Sequence, residues 1–310
     1  MSEITKVIPR HRIQPGIGIG IGVVAMSTAS IFVRLAQNSG APSLTIAALR
    51  LTVASLVLLP FAWANSRDEL MALNRRDLLA VLLSGAFLGA HFATWISSLQ
   101  YTSLSSSVVL VTLSPLFVAI GSALFLRERL SKMALLGIVV AILGGILIST
   151  GDAFQAGNSA SNPLLGNLLA LAGAFCIGPH FLIGRRLRQK LSLLSYITLV
   201  NTAAAIVLLG VVAVTGSSLT GFESQGYLWI VLLALLPQLV GHTSLNWSLG
   251  VLPATYATIP VLGEPIGATF LAILIFGEIL TPFKVGGAFL TLSGIALMMW
   301  SRLTSSRVNA

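Results

Sequence analysis

The sequence predicts an all-α polytopic membrane protein: ten transmembrane helices arranged as two inverted five-helix repeats. Three observations carry this expectation. First, 55% of the 310 residues are hydrophobic and only 9% are charged, with a mean hydropathy of +0.94. A soluble domain carries about 25% charge, so this chain has too little to cover a surface in water. Second, S-P-L-F-V-A-I-G-S-A-L-F-L-R-E-R-L-S at 114–131 returns as E-P-I-G-A-T-F-L-A-I-L-I-F-G-E-I-L-T, 150 positions later. The register pairs Pro115 with Pro265, Glu128 with Glu278, Gly137 with Gly287 and Gly144 with Gly294. Third, the basic residues cluster between alternate apolar runs.

Stretches of roughly 20 apolar residues, the length that crosses a bilayer, fall at 16–36, 44–64, 78–99, 105–126 and 132–150 in the first copy. The second copy has 163–184, 193–215, 227–249, 254–276 and 282–301. The long polar stretch G-D-A-F-Q-A-G-N-S-A-S-N-P separates the copies, giving units of 1–152 and 153–310. The amino-terminal tail has Lys6, Arg10 and Arg12 before an apolar run and no small-residue cleavage site, so it reads as an uncleaved first span.

With the amino terminus inside, the cytoplasmic segments hold Lys6, Arg10 and Arg12, then Arg67, Arg75 and Arg76, then Arg127, Arg129 and Lys132. Arg185, Arg186, Arg188 and Lys190 follow, and finally Arg302 and Arg307. That makes 15 of the 18 basic residues. Arg34 and Lys284 face outside and Arg50 lies within a span. This is the positive-inside distribution of a multi-pass plasma membrane protein, here a bacterial inner membrane, with both termini cytoplasmic. It also accounts for the +9 net charge without nucleic acid. Five spans per unit is an odd number, so the second copy must be inserted upside down. Inverted copies bring a pseudo-two-fold axis in the membrane plane, and such proteins can open to either side.

The spacing of Pro115 to Glu128 and of Pro265 to Glu278, each followed by a short polar step and a Gly-rich span, resembles the EamA-type branch of the drug/metabolite transporter superfamily. L-R-L at 49–51 and Glu264-Pro265 resemble it too. The similarity covers 16–301. It implies ten helices, alternating access, and a central cavity lined mainly by spans 1, 3, 4, 6, 8 and 9. It also implies export or exchange of small metabolites, amino acids among them. Asn201 departs from symmetry, standing where the register puts an equivalent of Arg50.

Ionisable residues inside a membrane are costly and are candidates for function. Of nine acidic residues only Glu264 lies well inside a span. It is 12 residues before the expected outer end of span 9, roughly 18 Å deep at 1.5 Å per residue. It is read as a proton-coupling carboxylate or substrate contact; a cap on the backbone gap at Pro265 or a structural partner of Arg50 are the alternatives. Arg50, about six residues inside span 2, can pair with Glu264, bind a carboxylate or phosphate bidentately, or snorkel outward. His91 and His242 occupy near-equivalent places, and Trp95 and Asn246 follow each by four residues, on the same helical face. These four are the expected substrate-binding set, with interhelical hydrogen bonding as the alternative. His180 reads as a gate or packing residue, and Gln238 and Tyr256 as secondary, packing candidates. Pro115 and Pro265 fall mid-span, where a missing hydrogen bond bends a helix, and are the expected gating kinks. Glu128 and Glu278 read as helix-end ties or a gate latch.

G-I-G-I-G-I-G at 16–22 follows no strand, so it is not a dinucleotide loop; glycines four apart are a helix-packing pattern. Trp63, Trp229 and Trp300 lie near span ends as interfacial anchors. One cysteine excludes an internal disulfide and a cysteine metal cluster. No enzyme signature, Walker loop or cofactor motif is present, so no enzyme, metal or cofactor is expected. The expected partners are the bilayer and a small-molecule substrate, and a homodimer is compatible with the sequence. A secondary transporter fits best, with a passive facilitator or channel as the alternative; a channel would show a more continuous polar stripe.

Overall fold

The computed structural model describes residues 15–126, 131–154, 161–251 and 262–308. Glu128, Tyr256, Arg127, Arg129 and the tail bearing Lys6, Arg10 and Arg12 lie outside them. The described residues form helices without strands. They are α1 (Pro15–Ser27), α2 (Ala29–Asn38), α3 (Ser43–Met71), α4 (Arg75–Ser98), α5 (Leu104–Val111), α6 (Ser114–Leu126) and α7 (Lys132–Phe154). The second copy has α8 (Pro163–Leu187), α9 (Leu193–Thr215), α10 (Ser224–Leu233), a π-helical stretch Ala234–His242 and α11 (Thr243–Val251), then α12 (Glu264–Phe276) and α13 (Pro282–Val308). Nine of these segments, single helices or broken pairs, are apolar and long enough to cross a membrane; α12 is shorter, its approach at 252–261 lying outside the described residues. In a bilayer every backbone group must be satisfied within the protein, which is why the spans are helical.

Helix packing repeats itself under exchange of the copies. Span 3 (α4) packs on span 6 (α8), as span 8 (the π stretch) packs on span 1 (α1). Span 4 (α6) lies on span 6 as span 9 (α12) lies on span 1, and α4 on α9 as the π stretch on α3. Spans 2 and 7 (α3, α9) pack on each other, and so do spans 5 and 10 (α7, α13). At the last crossing a Cβ on Gly137 would lie 2.5 Å from the Gly294 carbonyl, and one on Gly144 2.6 Å from the Gly287 carbonyl. Gly137 is the register mate of Gly287, and Gly144 of Gly294. Each glycine therefore meets the mate of the other, the pairing of a two-fold contact, and the two helices run antiparallel. The repeats are inverted.

Three spans are broken where a single helix was expected. Span 1 is interrupted at Thr28, whose hydroxyl donates to the Ala25 carbonyl at 2.7 Å. Span 4 is two helices, α5 and α6, parted at Thr112–Leu113, so Pro115 starts a helix rather than bending one. Pro265 sits likewise in the first turn of α12. The reason is elementary: the first turn of a helix has no use for the missing N–H. Span 8 winds as a π-helix around Pro237, a distortion that often accompanies functional sites. Trp63 and Trp300 are exposed within α3 and α13, while Trp229 stacks on Phe32 at 5.9 Å between centroids.

Candidate functional site

The breaks gather around one partly open cavity. His91 and Trp95 of α4, His242 of the π stretch, Ser114 of α6 and Glu264 of α12 stand on its wall; Met26 and Phe181 are among the apolar groups between them. Glu264 and Ser114 are register mates, 150 residues apart. Each is the first residue of a 13-residue helix and is followed by proline, and they are only 6% and 3% exposed. The two repeats thus bring the starts of two half-helices to a shared space. Free N–H groups and the positive dipole end collect at such starts.

Close packing places Glu264. The Ser27 hydroxyl, which donates to the Val23 carbonyl at 2.9 Å, also reaches the Glu264 carbonyl at 3.4 Å. A Cβ on Gly267 would lie 2.7 Å from that of Ser27, so glycine is what lets α12 press against α1. His91 is placed by α8: its Nδ1 is 2.9 Å from the Gly173 carbonyl. A carbonyl only accepts, so Nδ1–H donates, and Nε2 of the neutral ring is left as an acceptor. Trp95 lies parallel to His91, 7° between planes and 6.2 Å between centroids. Its indole Nε1 is buried without a partner. The two rings stack in parallel planes.

The remaining sequence candidates take other positions. Arg50 has no exposed surface and does not line the cavity. Its guanidinium lies 4.0 Å from the centroid of the Phe92 ring, and Nη2 donates to Gln238 Oε1 at 2.8 Å. Gln238 Nε2 donates in turn to Asn201 Oδ1 at 3.1 Å. Gln238, expected only to pack, joins Arg50 to Asn201, one residue beyond its mate in the 150-residue register. Arg50 and Glu264 sense each other's charge without forming an ion pair within 4.0 Å. Arg50 Nε and Nη1 are buried without partners. Asn246 is buried one turn beyond His242, off the wall, its Oδ1 without a partner and its carbonyl accepting from Arg188 Nε at 3.2 Å. His180 is also off the wall. Its Nδ1 meets Ser84 Oγ at 3.0 Å, and its ring stacks on Tyr196.

Phe92 and Ser114 belong to the site and were not among the sequence candidates. Phe92 touches His91 and, edge-on, His242, with centroids at 4.8 and 5.2 Å. Nothing in its local sequence sets it apart from a lipid-facing ring. Ser114 was marked only by the register that pairs it with Glu264.

Both ends of the bundle are tied. At the end bearing the α8 arginines, Glu69 of α3 accepts from Ser192 N at 2.8 Å and from the Ser192 and Ser195 hydroxyls, capping α9. Asp77 and Lys190 pair there at 2.7 Å. At the opposite end the Glu278 carboxylate accepts from the Ser105 hydroxyl and from Ser105 N at 3.3 Å, at the start of α5. Lys284 Nζ is 3.9 Å from it. Arg34, which donates to the Leu99 and Thr102 carbonyls at 2.6 and 3.2 Å, also senses Glu278. Two of the three basic residues that stand apart from the basic clusters, Arg34 and Lys284, thus act on one carboxylate.

The profile of one family matches residues 15–150 and again residues 164–300. The chain belongs to the EamA-like transporter family. This EamA-like protein is an integral multi-pass membrane transporter. It is 28% identical over 252 residues to an uncharacterized transporter, YdfC, of Bacillus subtilis, covering 81% of this chain and 79% of that one. An uncharacterized transporter of Archaeoglobus fulgidus is 26% identical, over 91% of this chain and 94% of its own. Solute carrier family 35 member G1 of Mus musculus is 24% identical, over 92% and 80% respectively. A crystal structure matches 96% of this chain and all of its own with a TM-score of 0.65; at 17% identity it speaks for the fold alone.

Proposed function

We propose that this EamA-like protein is a secondary active transporter that moves small polar metabolites, amino acids or related compounds, by alternating access, with proton coupling at Glu264. One observation carries the reading: a buried carboxylate and its register mate Ser114 face the same cavity from the two inverted repeats. Substrate and proton compete for one acid there, with His91, Trp95 and His242 completing the contact surface. Arg50 holds Phe92 behind the rings, and Asn246 and His180 brace spans 8 and 6. The half-helix starts at Pro115 and Pro265 are the hinges. The units are 1–152 and 153–310, in a bacterial inner membrane with both termini cytoplasmic, as the basic residues support.

In proteoliposomes loaded with radiolabelled amino acids and amines, an imposed pH gradient is expected to accelerate efflux, and a protonophore to abolish the acceleration. In Glu264→Gln the remaining flux is expected to be the same with and without the gradient. A full gradient response in that variant removes Glu264 from coupling.

On this reading the Glu278 tie latches the outer end. Glu278→Ala, with Val109→Cys as reporter and Cys176→Ser as background, is expected to react faster with an impermeant thiol reagent added outside. Unchanged labelling would show that the tie does not control access.

A further inference from the structure

The cavity wall is electrically one-sided. Among the described residues that line it, Glu264 is the one charged side chain. The segment 252–261, outside the described residues, contains no Lys, Arg, Asp or Glu in its sequence. Arg50 is held behind the wall, tied to Gln238 and stacked on Phe92, which itself lies against His91 and His242. Arg185 and Arg188 are engaged with the carbonyls of Leu249 and Asn246, at 2.8 and 3.2 Å, away from the wall.

Resting on the transporter reading above, and narrowing its substrates from amino acids to the related amines, we propose that the one-acid wall of this cavity selects ligands bearing an ammonium group and no carboxylate, namely primary amines with a flat, apolar body. The ammonium donates to the Glu264 carboxylate and to His91 Nε2, which is free to accept because Nδ1–H is engaged by Gly173. The body lies against Trp95, where an indole face also attracts a cation. A ligand carboxylate meets no cation on this wall, and a buried charge without a partner is strongly disfavoured. The Trp95 Nε1–H and the Ser114 hydroxyl are neutral donors. They suit a hydroxyl or carbonyl on the ligand and cannot neutralise a carboxylate.

Three probes on one ring separate the charges: tryptamine, L-tryptophan and indole-3-propionate. Binding to the purified full-length protein is measured by thermal stabilisation, and uptake by counterflow into vesicles of phosphatidylethanolamine and phosphatidylglycerol. Tryptamine is expected to bind at least about tenfold more tightly than tryptophan, whose carboxylate would be buried without a partner, and indole-3-propionate least. Glu264→Gln is expected to lower tryptamine affinity and to erase the order among the three. Equal or tighter binding of tryptophan or the propionate overturns the proposal, as does tryptamine binding that is indifferent to Glu264→Gln. So does the failure of all three to bind. If the gradient response of efflux still depends on Glu264, such a failure leaves the transport reading standing. Tryptamine selectivity without any carrier-mediated flux would leave the site and remove the transport reading.

Discussion

Gly144→Leu is expected to prevent the protein from accumulating as a folded, monodisperse species, while Gly210→Leu leaves it intact. Both glycines are in the interior of long helices, where leucine is the better helix former by roughly 1 kcal/mol. Propensity alone therefore predicts a gain at each. Gly210 is exposed and has nothing within 4 Å of an added Cβ, so there the gain stands. At Gly144 a Cβ would lie 2.5 Å from Thr291 N and 2.6 Å from the Gly287 carbonyl. Those are backbone atoms of α13 and cannot rotate aside. Overpacking an ordinary core costs about 1–3 kcal/mol, and here whole helices must part, so the upper end or beyond applies. Without a hydrophobic force between helices in lipid, close contact is much of what holds spans 5 and 10 together. Fluorescence-detected size exclusion after mild detergent extraction compares the two variants directly. Equal monodisperse yields would mean that the glycine crossing is dispensable.

The large features of the fold were legible because they are written in long-range order. A 150-residue offset and the alternation of basic clusters need no knowledge of contacts, and they imply inversion by parity. The helix breaks were not legible in the same way. L-V-T-L-S-P at 110–115 reads as continuous apolar sequence, yet the chain stops one helix at Val111 and starts another at Ser114. In a soluble helix the polar face would have marked the change. In lipid the outer face and the packed face are both apolar, so periodicity carries little information. Arg50 shows the other limit. Its type and depth announce a buried cation, but its partner Gln238 is 188 residues away and was chosen by the packing of spans 2 and 8. The wall residue Ser114 was readable only as the mate of Glu264, because a serine is unremarkable among so many in this chain.

That mate relation leads to the sharpest functional prediction. Exchanging the two residues, Ser114→Glu with Glu264→Ser, is expected to restore gradient-driven transport that Glu264→Ser alone abolishes. Each position opens a helix of the same length, is followed by proline, is buried, and faces the same cavity. A carboxylate moved to residue 114 therefore meets the same substrate from across the pseudo-axis. Recovery should be partial, because the surroundings are not symmetric. Arg50 acts electrostatically on Glu264, whereas Asn201, its near-equivalent in the second copy, is neutral. The Glu264 carbonyl is also braced by Ser27 at 3.4 Å, and no such brace is given to Ser114 among the described contacts. Loss of one favourable neighbour on the order of 1.4 kcal/mol corresponds to about tenfold, so flux roughly a tenth of the parent's is the expected level. Single and double variants are compared at matched amounts of monodisperse protein. A double variant as inactive as Glu264→Ser would mean that the inverted repeats share an architecture without sharing the chemistry of the site.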